Sequence, residues 1–234
     1  YTRGHSARVS RYAAQTAIRL GFTGDRLEEI RLGAELHDIG KIGTREAILN
    51  KPGKLTDEEF QHIAEHVVLG ERILAPLARE NPTVLRIVRN HHERMDGRGF
   101  PDKLVGETIS IEARIVCVVD AFDAMTSHRI YRAGRPRDVA LGVLLEEARH
   151  QFDAGFVETF RDLGRKGRLD EVLGHTDVGI PLHSCPMCGP LIVVRRGQGE
   201  GEHVYCPNCS SEFTLQQKGD SLTPFPTGRQ GTPS

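Results

Sequence analysis

Apolar residues recur at three- and four-residue steps through most of the first 165 positions, the spacing that places side chains on one face of a helix. In residues 2–20 these positions are Val9, Tyr12, Ala13, Ala17, Ile18 and Leu20, and Gly21 marks the helix end. The same pattern predicts further helices over residues 25–42, 56–74, 83–93, 110–126, 136–148 and 153–163. Strand-like alternation is missing here, so this part is predicted to be all-α.

Local signals support several of these boundaries. Thr56 and, three residues later, Glu59 form a capping-box pattern, and Pro82 stands where a helix begins. Loops are predicted over residues 44–55 and 96–107, which are interrupted by Gly and Pro.

The composition changes at residues 164–174, where Gly and charged residues interrupt the apolar pattern. We therefore predict a helical domain over residues 1–165, a linker over 166–180 and a small domain with β-prone pieces over 181–215. The last segment, 216–234, is rich in Gly, Pro, Thr and Ser. It has too few apolar residues to fold, so it is predicted to be a disordered tail.

The composition is that of a globular protein, and it argues against some classes of binding partner. Of the 234 residues, 38% are hydrophobic and 27% charged, and no apolar run approaches the ~18 residues of a membrane span. The formal net charge of −1 gives no overall attraction to nucleic acid, so a local arrangement would have to bind a phosphate ligand. Four of the five Cys form Cys-x-x-Cys pairs, which favours metal binding over disulfides and a reducing, cytoplasmic setting.

Residues 32–43 have the sequence Leu-Gly-Ala-Glu-Leu-His-Asp-Ile-Gly-Lys-Ile-Gly, with a His-Asp pair among apolar neighbours near a predicted helix end. Burying His37 and Asp38 is costly unless something satisfies their polar atoms, and a metal ion is the usual solution. Lys41, one helical turn after His37, could face a bound anion. The alternative is a helix end with a histidine near the helix dipole and a solvated lysine.

Four other segments supply imidazole or carboxylate groups of the same kind. The candidate metal ligands are His5, His37, Asp38, His66, His91, His92 and Asp120. These ligands suit iron or manganese at least as well as zinc, and they are too many for one ion with open positions. We therefore expect two ions bridged by Asp38, which can activate a water and hold the oxygens of a phosphate ester. His62, four residues before His66, is an alternative ligand.

Several motifs occur together in one order: His5, His37-Asp38 with Ile-Gly-Lys-Ile-Gly, His66, His91-His92-Glu93, residues 96–101 (Asp-Gly-Arg-Gly-Phe-Pro) and residues 120–126 (Asp-Ala-Phe-Asp-Ala-Met-Thr). With these motifs the chain resembles the HD-GYP family over about residues 1–165. The resemblance implies an all-helical HD-superfamily bundle with a bi- or trinuclear centre, often of iron or manganese. It also implies hydrolysis of the bacterial second messenger cyclic di-GMP to pGpG, GMP or both, and an upstream sensory or receiver domain.

The resemblance also assigns roles to single residues. The family's metal ligands fall on the seven residues named above, and its phosphate-contacting lysine falls on Lys41. Asp123 matches a substrate-facing position, and we expect Asp123 or a water to hand a proton to the leaving ribose oxygen. Arg129 and Arg132 match basic residues that hold the phosphates or bases of the dinucleotide. Without the resemblance, these two arginines would indicate a solvated basic turn.

Two positions depart from the family pattern. The signature Gly-Tyr-Pro is Gly99-Phe100-Pro101 here, so Phe100 keeps the aromatic ring for substrate binding but lacks the hydroxyl. Trinuclear members carry a Glu four residues before the first His ligand, where this chain has Tyr1. This difference favours a binuclear site, and binuclear members tend to stop at pGpG.

A second candidate metal site is formed by Cys185-Pro-Met-Cys188 and Cys206-Pro-Asn-Cys209. Their spacing is that of a zinc ribbon with four cysteine ligands, and a segment this small needs the zinc to fold. A redox pair is the alternative, but the helix start of a thioredoxin-like motif is missing. We expect a structural or protein-contact role, since Arg195-Arg196 is too short a basic patch to indicate nucleic-acid binding.

The leading functional hypothesis is a cyclic di-GMP phosphodiesterase. The second is a degenerate module that binds the dinucleotide or a partner protein without turnover. Phe100 favours this second hypothesis, whereas the complete ligand set argues against it. The third is an HD hydrolase that acts on a hybrid cyclic dinucleotide or a nucleoside phosphate, because a fold does not determine its substrate.

Overall fold

A computed structural model describes residues 2–49, 51, 53–77, 81–127, 134–169, 172, 183–187, 191–192, 194, 198–206, 209–219 and 221–231. The chain forms two compact units, residues 1–167 and residues 168–234. Within the described residues, none of the helices is both long and apolar enough to cross a membrane.

The first unit is helical, as its apolar spacing predicts. Its helices are α1 (Thr2–Arg19), α2 (Gly24–Leu36), α3 (Glu46–Leu49), α4 (Asp57–Ala64), α5 (His66–Leu74), α6 (Pro82–Asn90), α7 (Ile111–Thr126), α8 (Arg137–Glu146) and α9 (Ala154–Arg165). Short 3-10 turns lie at Ile39–Gly43, Ala75–Leu77 and Gly106–Thr108.

The centre of this unit is α7, which contacts α1, α6, α8 and α9. Ten of its 16 residues are buried, because apolar side chains occur on several of its faces. Tyr12 of α1, Phe122 of α7 and Phe160 of α9 meet edge to face, with ring centroids 5.4, 5.7 and 4.9 Å apart. In this way α7 carries Asp123 into the interior and holds Asp120 in a half-buried position.

Three of the helices have a capping side chain at their first turn. At α4, the Thr56 side chain accepts from the Glu59 backbone and the Glu59 side chain accepts from the Thr56 backbone, which confirms the capping box. The side chains of Ser110 and Asp153 accept backbone N–H groups at the starts of α7 and α9. Each cap satisfies donors that a first helical turn leaves unpaired, so these boundaries can be predicted from the sequence.

Two of the predicted helices end at least three residues early, and a third is divided into two. The structure ends α2 at Leu36 and α6 at Asn90, and it separates α4 from α5 at Glu65. After α2 the chain turns at Asp38, whose φ of −98° and ψ of 8° are not helical, and continues as a 3-10 turn. The apolar periodicity runs on through these points, so it could not indicate the breaks.

A close crossing of two backbones accounts for the break after α2. Gly40 packs directly against α5, where a Cβ at Gly40 would lie 1.9 Å from the carbonyl oxygen of His66 and 2.6 Å from the nitrogen of Gly70. Only glycine allows two backbones to approach this closely. The crossing brings Asp38 beside His66, with 3.3 Å between Asp38 Oδ1 and His66 Nε2.

The second unit contains two antiparallel sheets within its described residues. Its strands are β1 (His183–Ser184), β2 (Leu191–Ile192), β3 (His203–Tyr205), β4 (Ser211–Lys218) and β5 (Ser221–Gln230). β1 pairs with β2, and β4 lies between β3 and β5 in a three-stranded sheet. The core of this unit comprises Cys185, Ile192, Val194, Val204, Cys206, Phe213 and Leu215.

The segment predicted to be a disordered tail instead includes β5, which pairs with β4 along most of its length. Backbone pairing does not require an apolar composition, and Leu222 packs against the core of the unit. Gly219, with a φ of +63°, lies at the turn between the strands. Pro224 and Pro226 are tolerated because β5 is an edge strand. The small number of apolar residues therefore gave a wrong prediction for this segment.

Replacing Gly40 with alanine should destabilise the first unit, because the added Cβ would overlap the backbone of α5. We expect Gly40→Ala to lower the free energy of unfolding by about 1–3 kcal/mol. Gly142→Ala is the matched control, since a Cβ at this position in α8 would meet no atom within 4 Å. The control should be stabilising by about 0.5–1 kcal/mol. Urea denaturation measures both variants, and equal midpoints would contradict the close crossing.

Candidate metal centre

The seven predicted ligands converge in the first unit. His5 and Asp120 come from within α1 and α7. The other five lie where helices end or begin: after α2 (His37, Asp38), at the start of α5 (His66) and after α6 (His91, His92). Because the backbone turns at a helix end, even adjacent residues there can face the same point. His66 belongs to this set, since its Nε2 atom is 3.4 Å from that of His91. The alternative ligand, His62, instead has its Nε2 atom 3.4 Å from the Arg45 backbone nitrogen.

Asp38 lies in the middle of the ligands and presents one carboxylate oxygen to each half. Its Oδ1 is 3.3 Å from His66 Nε2 and 3.9 Å from His91 Nε2. Its Oδ2 is 3.4 Å from His37 Nε2 and 3.5 Å from His5 Nε2. The ligand atoms therefore form two groups that share Asp38, one with His66, His91 and His92, the other with His5 and His37.

The spacing of these atoms fits divalent metal ions. Neighbouring ligands of an ion bound at about 2.1 Å are about 3.0–3.4 Å apart. Most of the contacts around Asp38 are close to this range, as is the 3.2 Å between His5 Nε2 and Asp120 Oδ1. His37 Nε2 and Asp38 Oδ1 are buried and have no hydrogen-bond partner among the described residues. Leaving such atoms unpaired is costly, and bound cations would satisfy both.

Three histidine rings are oriented by the ends of helices. The Nδ1 atoms of His37, His66 and His91 lie 2.7, 2.6 and 3.0 Å from the carbonyl oxygens three residues earlier, those of Ala34, Ile63 and Val88. Carbonyls in the last turn of a helix lack an intrahelical partner, so each can accept from an Nδ1–H group. This arrangement places the proton on Nδ1 and directs the Nε2 lone pair into the centre, as metal ligation requires.

Burial and neighbouring charges set the protonation of the centre. Burial lowers the pKa of His91 well below its usual value and the pKa of His92 to about 4, so both rings are neutral. Burial also acts to lower the pKa of His5, but hydrogen bonds with three carboxylates outweigh it and raise the pKa to about 11. Burial acts to raise the pKa values of Asp38 and Asp120, yet the surrounding histidines hold both below the usual range. The centre thus offers ionised carboxylates to a cation.

Asp123 lies behind His5 and is 1% exposed, whereas the resemblance predicts a residue that faces the substrate. Its Oδ2 is 2.7 Å from His5 Nδ1, and Arg8 donates to both of its oxygens at 2.6 and 2.8 Å. Burial acts to raise the pKa of Asp123, but these hydrogen bonds hold it below its usual value. An ionised carboxylate in this place orients the His5 ring. The sequence analysis did not identify Arg8, although its position three residues after the ligand His5 could have indicated a role beside it.

Lys41 lies on the more exposed side of the centre. Its Nζ is 2.6 Å from Asp38 Oδ2, and its side chain is 22% exposed. A cation that touches the ligand group and also reaches solvent is placed to contact an anionic substrate. The other predicted phosphate-binding residues, Arg129 and Arg132, lie outside the described residues.

The loop that carries Gly99-Phe100-Pro101 is fastened to the segment after α6. The buried carboxylate of Glu93 accepts two backbone N–H groups of this loop, at 2.7 and 3.0 Å. Arg89 binds the Asp102 carboxylate at 2.8 and 2.7 Å. A Cβ at Gly99 would lie 2.5 Å from Glu93 Cα, so only glycine fits at this contact. The sequence shows Glu93 directly after two ligands but not that it holds a loop.

Aromatic rings form a row that extends outward from the centre. The Phe100 ring centroid is 4.9 Å from that of His92 and 5.8 Å from that of Phe60. Phe60, in α4, is 52% exposed. Sequence reasoning did not single out Phe60, because an apolar residue at this spacing looks like an ordinary helix face. The row provides accessible aromatic surface close to the ligands.

Three of the four predicted zinc ligands meet in the second unit. Cys185 follows β1, Cys206 follows β3 and Cys209 precedes β4, and their Sγ atoms all lie within 4.8 Å of one another. The Sγ atoms of Cys185 and Cys209 are 3.7 Å apart, close to the ~3.8 Å expected for two thiolates on one tetrahedral zinc. The fourth predicted ligand, Cys188, lies outside the part of the chain that the structure describes.

The helical unit is similar in sequence to known proteins. A family model described as the HD domain matches residues 2–155. The 3'3'-cGAMP-specific phosphodiesterase 3 of Vibrio cholerae is 40% identical over 153 residues, which is 65% of this chain and 33% of that protein. The cyclic di-GMP phosphodiesterase response regulator RpfG of Xanthomonas campestris is 38% identical over 168 residues, 71% of this chain and 44% of that protein. The chain thus spans less than half the length of these curated relatives.

Solved structures of other proteins share this fold. Bd1817, an HDG"Y"P protein from Bdellovibrio bacteriovorus, superposes with a TM-score of 0.60 at 22% identity, covering 70% of this chain and 53% of that chain. A cyclic GMP-AMP specific phosphodiesterase of Vibrio cholerae superposes with a TM-score of 0.56 at 20% identity, covering 74% and 46%. At these identities the likeness concerns the fold alone, and it confirms the predicted helical bundle.

Loss of Asp38 should affect both ion positions, because each of its oxygens faces a different group of ligands. We expect the wild-type chain to bind two manganese ions, Asp38→Ala to bind none and His92→Ala to keep one. Equilibrium dialysis against Mn(II), followed by plasma mass spectrometry, measures the metal content. Asp138→Ala, at an exposed aspartate of α8, is the control and should bind as the wild type does. An ion retained by Asp38→Ala at wild-type affinity would contradict the shared ligand.

Proposed function

The chain belongs to the HD domain family, and we propose on this basis that it is a metal-dependent phosphodiesterase that hydrolyses cyclic di-GMP to pGpG. The observation that carries the proposal is the position of Asp38, with one oxygen facing each of two histidine groups. This is a donor set suited to a pair of divalent ions that act on a phosphate ester. Relatives named as cyclic dinucleotide phosphodiesterases support the class of substrate.

The proposed ions are iron or manganese, since imidazole and carboxylate ligands suit these metals. One would be held by His5, His37, Asp38 and Asp120, the other by Asp38, His66, His91 and His92. When bound, the ions would supply an activated water and neutralise charge on the phosphate. The Nδ1 hydrogen bonds to backbone carbonyls orient three of the proposed ligands, His37, His66 and His91.

Lys41 is proposed to bind the scissile phosphate. It is partly exposed and touches Asp38, so its ammonium group can donate to a phosphoryl oxygen near the ligands. That contact would stabilise the negative charge that increases on the phosphate in the transition state. Arg129 and Arg132 are proposed to hold the second phosphate or the bases, for which a guanidinium group offers paired donors.

Asp123 takes a positioning role in this mechanism. Its carboxylate already accepts from His5 and from two nitrogens of Arg8, and it is buried. A group placed in this way orients a ligand and does not reach the substrate. The proton for the leaving ribose oxygen therefore comes from a water, which was the other source that the sequence left open.

Phe100 is proposed to contact a base of the dinucleotide, together with its neighbour Phe60. Stacking of a base on an aromatic side chain contributes about 1–3 kcal/mol and accepts any base. Because Phe100 has no hydroxyl, it cannot select guanine by a hydrogen bond. A hybrid guanine–adenine dinucleotide is therefore the second candidate substrate, and the 40% identity to a cGAMP-specific phosphodiesterase favours it.

The second unit is proposed to hold one structural zinc ion through Cys185, Cys188, Cys206 and Cys209. The 3.7 Å between two of the Sγ atoms supports this proposal. The core of this unit is small and includes two of the cysteines, so zinc binding would contribute to its folding.

The activity test uses the purified chain, reconstituted without oxygen with Fe(II) or Mn(II). We expect metal-dependent conversion of cyclic di-GMP to pGpG, separated by chromatography, with cyclic GMP-AMP run in parallel. Lys41→Met should reduce kcat about 100-fold without loss of metal, because one donor to the phosphate is gone. Lys166→Met is the matched control, since Lys166 pairs with Asp162 on the surface at 2.8 Å.

Turnover of neither dinucleotide by a chain that holds both ions would contradict the proposal. Retained binding of the dinucleotide in that case would favour the receptor function. A kcat for Lys41→Met equal to that of Lys166→Met would remove Lys41 from the mechanism.

The zinc proposal predicts a loss of zinc when one of the sulfur ligands is replaced. Cys185→Ser should lower the zinc content by about one ion per chain and increase amide hydrogen exchange in β3 and β4, because the core of the second unit would lose its metal link. Cys117→Ser, at a buried thiol of α7, is the control and should keep the zinc. Unchanged zinc content in Cys185→Ser would exclude the site.

A further inference from the structure

We propose that Arg8 is a positioning residue for one side of the metal centre, acting through Asp123 to hold His5 in its ligating orientation. The inference rests on the proposed two-ion centre and names a residue that selectively supports one of the two ions. It follows from a group of buried polar contacts between α1 and the end of α7.

The contacts of Arg8 form a closed arrangement. Arg8 is 6% exposed, and its Nε and Nη2 atoms donate to the two oxygens of Asp123 at 2.6 and 2.8 Å. Its Nη2 also donates to Ser127 Oγ at 2.8 Å, and Ser127 Oγ donates to Asp123 Oδ2 at 3.1 Å. Two-point contact between a guanidinium and a carboxylate fixes the plane of the carboxylate. These contacts therefore hold the Asp123 carboxylate in a single orientation.

This orientation determines the direction of His5. Asp123 Oδ2 lies 2.7 Å from His5 Nδ1, which leaves His5 Nε2 facing Asp120 at 3.2 Å and Asp38 at 3.5 Å. A carboxylate that accepts from the far nitrogen of a ligating histidine fixes the ring and makes it a stronger ligand. Without Arg8, Asp123 would be a buried carboxylate that has lost its cation, a costly arrangement that favours reorientation or protonation.

The group of His5 and His37 differs from the other group in containing a ligand, His5, that is oriented by a side chain. His37, His66 and His91 are held by backbone carbonyls, which no substitution of a side chain removes. His5 is held by a side chain, and that side chain is held by Arg8. A change at Arg8 should therefore weaken the ion bound by the His5 group and leave the ion bound beside His66 in place.

The test is the metal content of Arg8→Met, measured with Mn(II) as the probe. We expect two sites of high affinity in the wild type, whereas in Arg8→Met one of them should be weakened about 10–100-fold. Arg8→Lys keeps the charge but loses the two-point contact, so it should recover only part of the affinity. Binding isotherms require no turnover, so the outcome is independent of the identity of the substrate.

The matched control is Arg26→Met. Arg26 donates through Nε and Nη2 to Glu112 of α7, at 3.1 and 2.7 Å, so it also joins an early helix to α7 but touches none of the proposed ligands. We expect this variant to bind both ions at wild-type affinity. If Arg8→Met does not fold, Asp123→Asn takes its place, because it has the same shape and removes the charge that pairs with Arg8.

Unchanged affinity at both sites in the folded variant would overturn the inference, as would an equal loss at both sites. Two ions bound by a wild-type chain that hydrolyses no dinucleotide would contradict the proposed function and leave the role of Arg8 open to the same measurement. A wild-type chain that binds fewer than two ions would contradict the two-ion centre, and the inference with it.

Discussion

An ionised carboxylate, buried where three helices end, is the constraint on which the first unit depends. Removing a carboxylate from water costs several kcal/mol unless cations and donors surround it. Asp38 has Lys41 at 2.6 Å and four histidine rings around its two oxygens. The C-terminal ends of α2, α4 and α6 also lie beside the centre, and a helix C-terminus carries partial negative charge. Lys41 and the surrounding histidines supply positive charge that offsets this concentration of negative charge.

The same constraint explains why the helices break where they do. A continuous helix over residues 25–42 would not place Asp38 against α5, because the side chains of two packed helices keep their axes about 8–10 Å apart. Gly40 and Gly70 remove that separation, and the chain turns just before the crossing. The breaks also leave carbonyls of Ala34, Ile63 and Val88 to accept from histidine rings. Helix ends, which normally need capping, here orient ligands.

Much of this architecture could be predicted from the sequence, but only where the signal is local. Periodicity and caps indicate the helices, and residue type with spacing indicates the ligands, all seven of which converge. Contacts between distant residues leave no such signal: Arg8 and Asp123 are separated by 115 positions. The role of Glu93 depends on the path of a loop, and β5 depends on pairing with β4, so composition alone gave a wrong prediction for the end of the chain.

In the loop after α6, the residues that attach the loop are different from the residue whose ring faces the neighbouring aromatic side chains. Its attachment uses Glu93, the contact between Arg89 and Asp102, and the bare backbone of Gly99. None of these contacts involves the ring at position 100, which points its aromatic surface toward His92 and Phe60. Evolution could therefore exchange the ring at this position, tyrosine for phenylalanine or the reverse, without disturbing the neighbouring ligands. In such an arrangement the aromatic surface presented at this position can change across a lineage while the adjoining group of histidines and aspartates is inherited intact.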